Sequence, residues 1–197
     1  MSSLLSLATA LGAALAPPAA MPTALAADSA CQVLKPDRIP AQGRKSPLDS
    51  LTFDVAGRPV KFCYGRPSSR GRTMLGGEAV PYGRLWRTGA NEPTIFYASA
   101  PLTIAGITVP AGVYSLYTVP NRGEWEIIVN RSITQWGEES NYTPAVKAQE
   151  VGRGKVKSEA LDQPIETFTL RSEPVGRGAT LVLEWEKTRL RIPVKPA

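Results

Sequence analysis

From residue 50 onward the apolar residues recur at every second position, and Gly or Pro interrupts them every few residues. Leu51, Phe53 and Val55 alternate, Gly57-Arg58 turns the chain, and Val60, Phe62 and Tyr64 alternate again, which is the pattern of a hairpin. Short strands follow at 94–99, 101–105 and 107–109, with turns at Ala105-Gly106 and Pro110-Ala111-Gly112. A strand over Val113–Val119 puts Val113, Ser115, Tyr117 and Val119 on one face, and Tyr114, Leu116 and Thr118 on the other. Asn121-Arg122-Gly123 turns into Glu124–Asn130, and three more strands read as Ile165–Arg171, Ala179–Glu186 and Thr188–Val194. With 18 Pro and 17 Gly as punctuation and no long helical period, the pattern predicts an all-β chain. The expected architecture is an antiparallel β-sandwich, jelly-roll-like, or a closed barrel, with at most one short helix near 141–150.

The chain before this region has a different character. Residues 1–26 carry no charge, Leu4 to Ala16 is apolar, and Ala24-Leu25-Ala26 offers a small-x-small site. The run is too short to span a bilayer and reads as a signal peptide cleaved near Ala26, although it lacks a basic n-region. The alternative is an Ala/Pro-rich tail. Cys31 as a lipidated residue is disfavoured by Asp28-Ser29-Ala30 before it. The expected organisation is a signal peptide at 1–26, an extended arm at 27–49 and one domain at 50–197, placing the protein in the periplasm or outside the cell. Two cysteines in an exported chain suggest one disulfide, Cys31 to Cys63, against the alternative of two unrelated thiols.

Composition narrows the chemistry. The sequence has no His, which excludes His-based triads, His-ligated metals and histidine proton shuttles. No phosphate-cradling Gly loop, dinucleotide fingerprint or metal-spaced cysteine pair is present, so neither a metal nor a cofactor is implied. The formal charge of +6 is confined to residues 58–87, which hold seven basic side chains and one acidic one. All but Lys61 of those seven are arginine, whose planar fork suits carboxylate or phosphate. An anion-binding surface and a set of loop arginines capping carbonyls are the two readings. Nucleic acid is not an expected partner, because no aromatic platform or basic helix accompanies the charge. Oligomeric state leaves no trace in the pattern.

Trp86-Arg87-Thr88-Gly89-Ala90-Asn91-Glu92 packs a cation, a hydroxyl, an amide and a carboxylate into seven residues just before a strand. Arg87 could hold an anion or a developing oxyanion, Thr88 and Asn91 could orient a ligand, and Glu92 could act as a base. The structural alternative pairs Arg87 with Glu92 and buries Trp86 in the core. Candidate ligand-binding residues are therefore Arg66, Arg70, Arg72, Trp86, Arg87, Thr88, Asn91, Glu92 and Trp136, the last as a stacking platform or a lid on the core. Glu92 and Arg87 are also the catalytic candidates, with Tyr114 or Tyr117 as auxiliary acids.

Residues 64–92, from Tyr-Gly-Arg-Pro-Ser-Ser-Arg-Gly-Arg to Trp-Arg-Thr-Gly-Ala-Asn-Glu, resemble a bacterial domain-of-unknown-function family numbered 2911. So do Val109–Leu116, Gln135-Trp136-Gly137 and Leu183–Thr188, and the resemblance spans roughly residues 50–195. Arg70, Met74-Leu75 and Pro93 depart from that pattern. The resemblance implies an exported or envelope-associated β-rich domain and names no reaction. Three functions are open: a binding domain for a small anionic or polar ligand, a structural or interaction domain of the envelope, and an enzyme without metal or His.

Overall fold

The alternating segments form nine strands in a computed structural model that describes residues 30–31, 35–40 and 42–197. They are β1 (Leu48–Val55), β2 (Arg58–Gly65), β3 (Thr94–Ala98), β4 (Leu102–Ile104), β5 (Ile107–Val109), β6 (Gly112–Val119), β7 (Glu124–Asn130), β8 (Glu150–Val175) and β9 (Gly178–Pro196). A one-turn helix, α1 (Pro144–Lys147), is N-capped by Thr143, whose hydroxyl accepts from Val146 N. The signal-peptide reading falls on residues outside those described. β1 starts two residues earlier than the alternation suggests, at Leu48 opposite Gly65.

All strand pairs are antiparallel, in the order β1-β2-β3-β6-β7-β8-β9-β4-β5. β1 and β5 stand at the two ends, so the sheet is open and the closed-barrel alternative is excluded. The sheet bends instead, bringing β1 against β8 and β9, and β5 against β8. One core lies between the two halves. It joins Phe62, Tyr64, Phe96, Leu116, Trp125 and Ile127 to Phe168, Leu181, Leu183, Trp185, Leu190 and Ile192. Trp86 stacks on Trp185 at 5.7 Å and meets Phe168 and Trp125 edge-on, so the aromatic rings tie the halves together.

The bend explains one departure from the sequence reading. The three late strands expected at 165–194 are parts of two long ones, β8 and β9. Their register jumps between Ala160 and Ile165 and again between Ile165 and Thr169. Pro164, which has no N–H to give, falls inside the first jump, where the ladder does not need it. Opposite Ile165 stands Glu186 with φ of 50°. Its carboxylate accepts from Met74 N and Leu75 N, both at 2.8 Å, and so fastens the long 66–93 connection to the bend.

The other face of the β2-β3-β6 half carries Cys63 and Ile95, packed with Cys31, Tyr97, Val113 and Ile133. Cys31 and Cys63 are disulfide-bonded, with Cα atoms 5.6 Å apart. This bond ties the N-terminal arm to the face on which Tyr117 and the 131–149 segment also lie. Titration of denatured, unreduced protein is expected to find no free thiol. Cys63→Ser should lower the unfolding free energy by roughly 3–4 kcal/mol, given the loop the bond closes.

On the outer face of β8 and β9, Glu184 sits between Arg171 and Arg189. Burial pushes its carboxyl up, but the two guanidinium groups outweigh burial and hold it below the ordinary 4.5. A lowered folded pKa means that the stabilisation is present above the unfolded value and is lost as pH falls through the folded one. Glu184→Gln should therefore flatten the fall of the urea midpoint below about pH 4.5, measured by equilibrium denaturation.

Candidate functional site

The 86–92 loop is held by the backbone around it. Trp86 and Thr118 exchange both main-chain hydrogen bonds, at 2.7 and 2.9 Å. Ala90 N donates to Gly65 O and Thr94 N to Arg87 O. The loop lies so close to the end of β2 that a β-carbon at Gly65 would sit 1.9 Å from Ala90 O, which explains Gly there. Thr88 and Asn91 both adopt the left-handed region, at φ of 55° and 69°. These conformations cost energy in non-Gly residues and persist because the surrounding bonds over-determine them.

Within this loop the residues divide into two groups. Trp86 and Thr88 are structural. The Trp86 indole N–H donates to Gly89 O and its ring is core. Thr88 is fully buried and donates to Thr118 Oγ1 at 3.1 Å, while its carbonyl accepts from Thr94 Oγ1. Arg87, Asn91 and Glu92 face the 131–149 segment and the arm.

Glu92 is 3% exposed and pairs with Arg44, not with Arg87. Arg44 Nη1 donates to Oε1 at 2.9 Å and Nη2 to Oε2 at 2.7 Å, a bidentate fork. Arg87 is left without a carboxylate among the described residues. Its Nε and the Asn91 Nδ2 are buried donors with no acceptor there. Both residues crowd Gly137, where a β-carbon would lie 2.5 Å from Arg87 Cδ and 2.3 Å from Asn91 O. Gly137 N donates to that same Asn91 oxygen at 3.1 Å.

Tyr117 completes this corner. It is buried on the outer face of β6, accepts from Gln135 Nε2 at 2.9 Å and meets the Tyr142 ring edge-on. Burial pushes its hydroxyl up to about 12, against the pull of the Gln135 hydrogen bond and the Arg87 charge. It therefore stays neutral at physiological pH and offers an O–H without neutralising Arg87. Trp136 is 8% exposed, which fits a lid and leaves little ring area for a stacking ligand. Tyr114 points the other way, into the core, and donates to Pro110 O.

The remaining arginines do not converge on Arg87. Arg66 donates to Phe168 O and Thr169 Oγ1 and lies 3.5 Å from Asp49. Arg70 donates to Lys45 O, holding the arm, and its backbone N–H donates to Glu166. Arg72 donates to Ser69 O and borders a separate cleft of about 450 Å³ with Thr73, Met74, Glu78 and Ala79. Three of the seven basic residues in the +6 stretch thus serve as loop anchors.

Sequence reasoning missed Arg44, Gln135 in its contact with Tyr117, and the demand for Gly at 137. Arg44 lies in a polar, Pro-rich arm 48 positions from its partner, and no spacing rule links them.

Residues 46–194 match a family described as "Protein of unknown function (DUF2911)". No curated protein and no solved structure matches the chain. No helix among the described residues is long and apolar enough to cross a membrane.

Two substitutions test the geometry. Glu92→Ala strands the Arg44 charge in a nearly closed site and should cost about 3–5 kcal/mol by chemical denaturation. Gly137→Ala should cost about 1–3 kcal/mol, because the new methyl group meets the Asn91 backbone and the Arg87 stem together.

Proposed function

The chain belongs to the DUF2911 family, and from that premise we propose that it is an exported binding domain for a small oxyanion, a carboxylate or a phosphate, held at Arg87 and Asn91. The carrying observation is the pair of buried donors, Arg87 Nε and Asn91 Nδ2, without an acceptor among the described residues. A buried donor left unpaired costs about 1–3 kcal/mol, and more when it is charged. Both groups are donors only, so what satisfies them is an acceptor. An anion also answers the charge of Arg87, which has no carboxylate partner among the described residues. The neutral Tyr117 hydroxyl, whose oxygen already accepts from Gln135 and which feels the Arg87 charge, is a third donor. Export is supported by the apolar run and small-x-small site at the N-terminus and by the Cys31–Cys63 disulfide.

A structural or interaction role in the envelope is the second reading, favoured by Arg66, Arg70 and Arg72, which spend their guanidinium groups on carbonyls of this chain. The enzymatic reading asks Glu92 to accept a proton, yet both of its oxygens are bonded to Arg44.

A thermal-shift screen with acetate, citrate, inorganic phosphate and sulfate separates these readings. Oxyanion binding predicts a rise in Tm for at least one of them, equivalent to roughly 2.7 kcal/mol at 100 times its Kd. Arg87→Ala should abolish the rise, and Arg87→Lys should lose most of it, since an ammonium does not reproduce the planar fork. A rise that survives Arg87→Ala removes the loop from the site, and no rise with any anion favours the structural role.

A further inference from the structure

Arg87 and Glu92 leave the same short loop, and both press on Gly137: a β-carbon there would meet Arg87 Cδ at 2.5 Å and the Glu92 carbonyl carbon at 2.9 Å. Two opposite charges so placed are expected to pair with each other. They do not: Glu92 pairs with a third charge, which comes from the arm. Arg44 takes both Glu92 oxygens, and its own Nε is steadied by Ser46 O at 3.2 Å. The arm is brought there by three further ties. Cys31 is bonded to Cys63, Arg70 Nη2 donates to Lys45 O at 2.7 Å, and Arg66 N donates to Pro47 O at 2.8 Å. With Arg44 in place both Glu92 oxygens are taken, and Arg87 makes no ion pair among the described residues, although the charge of Glu139 also reaches Tyr117 in this corner.

We infer that Arg44 is a positioning residue for the oxyanion site: by clamping Glu92 it keeps that carboxylate away from Arg87 and leaves the Arg87 guanidinium free for an external anion. This inference rests on the oxyanion reading and adds to it a competitor built into the chain. If Arg44 is withdrawn, Glu92 is the nearest anion in sequence to Arg87 and pairs with it, so that an incoming ligand must displace a tethered carboxylate. The tethered group has the advantage of high effective concentration. The arm, anchored at Cys31 and at Lys45, is therefore part of the site and not a leader to it.

The test measures inorganic phosphate binding by NMR titration of the oxidised protein, reading the Arg87 Nε–H resonance. Arg44→Ala is expected to weaken phosphate binding by about tenfold or more, within the range of site-to-site couplings. Without phosphate, the Arg87 Nε–H resonance in Arg44→Ala should move downfield, as for a hydrogen bond to carboxylate. The double variant Arg44→Ala/Glu92→Gln removes the competing charge and should restore both the affinity and the resonance position. Glu92→Gln alone should bind phosphate at least as tightly as the wild type. If wild-type protein binds phosphate through Arg87 and Arg44→Ala binds it equally well, the clamp is overturned while the oxyanion site stands. If the double variant stays weak, the loss is collapse of the arm and the charge-competition account is wrong. If oxidised wild-type protein shows no Arg87-dependent binding, both readings fall together.

Discussion

A carboxylate removed from water needs a counter-charge, and Glu92 has almost no access to water. The demand is met by a residue 48 positions earlier in the chain, through a fork that occupies both oxygens. Much of the local structure serves that meeting. The disulfide fixes one end of the arm to β2, and Arg70 and the Arg66 backbone hold the other end next to β1. Arg87, on the same loop, has a buried Nε that no described residue satisfies. A charge pair that looks structural thus stands beside the corner where we propose that an anion binds.

The fold supports this corner from beneath. The aromatic cluster of Trp86, Trp125, Phe168 and Trp185 locks the start of the loop to both halves of the bent sheet. Burying side chains of this size contributes a few kcal/mol each, so the loop's entry point is among its best-held parts. Gly65 and Gly137 then let backbone approach where a side chain would intervene. Strained Thr88 and Asn91 are tolerated between these fixed points. The fold thus supplies rigidity on one side of the loop, and the arm supplies charge on the other.

Much of this was legible in the sequence. Period-two alternation reveals most of the strands, and the faces of β6 follow from it, with Tyr114 in the core and Tyr117 outside. The family is legible in the Trp-Arg-Thr-Gly-Ala-Asn-Glu string and its companions, and the pairing of Cys31 with Cys63 follows from their number and setting. What escapes is long-range and electrostatic. Two long strands look like three short ones because Pro164 in β8 and Lys187 in β9 resemble breaks, whereas the two bulged, bent strands run through them. The arginine count of residues 58–87 suggests a focused patch, but Arg66, Arg70 and Arg72 each find carbonyls that lie far off or in a turn, which composition does not encode. The partner of Glu92 depends on where an irregular arm returns, and irregular backbone has no period to read.

What Arg87 Nε and Asn91 Nδ2 touch decides whether this corner binds an anion. The most direct measurement is a crystal structure of the oxidised protein grown in a sulfate- or phosphate-containing solution, at a resolution that shows ordered anions and waters. Oxyanion binding predicts the Arg44–Glu92 fork intact and an anion within hydrogen-bond distance of both Arg87 Nε and Asn91 Nδ2. A structure in which Arg87 Nε instead bonds Glu92, or any other acceptor of this chain, with no anion at Asn91, would contradict it.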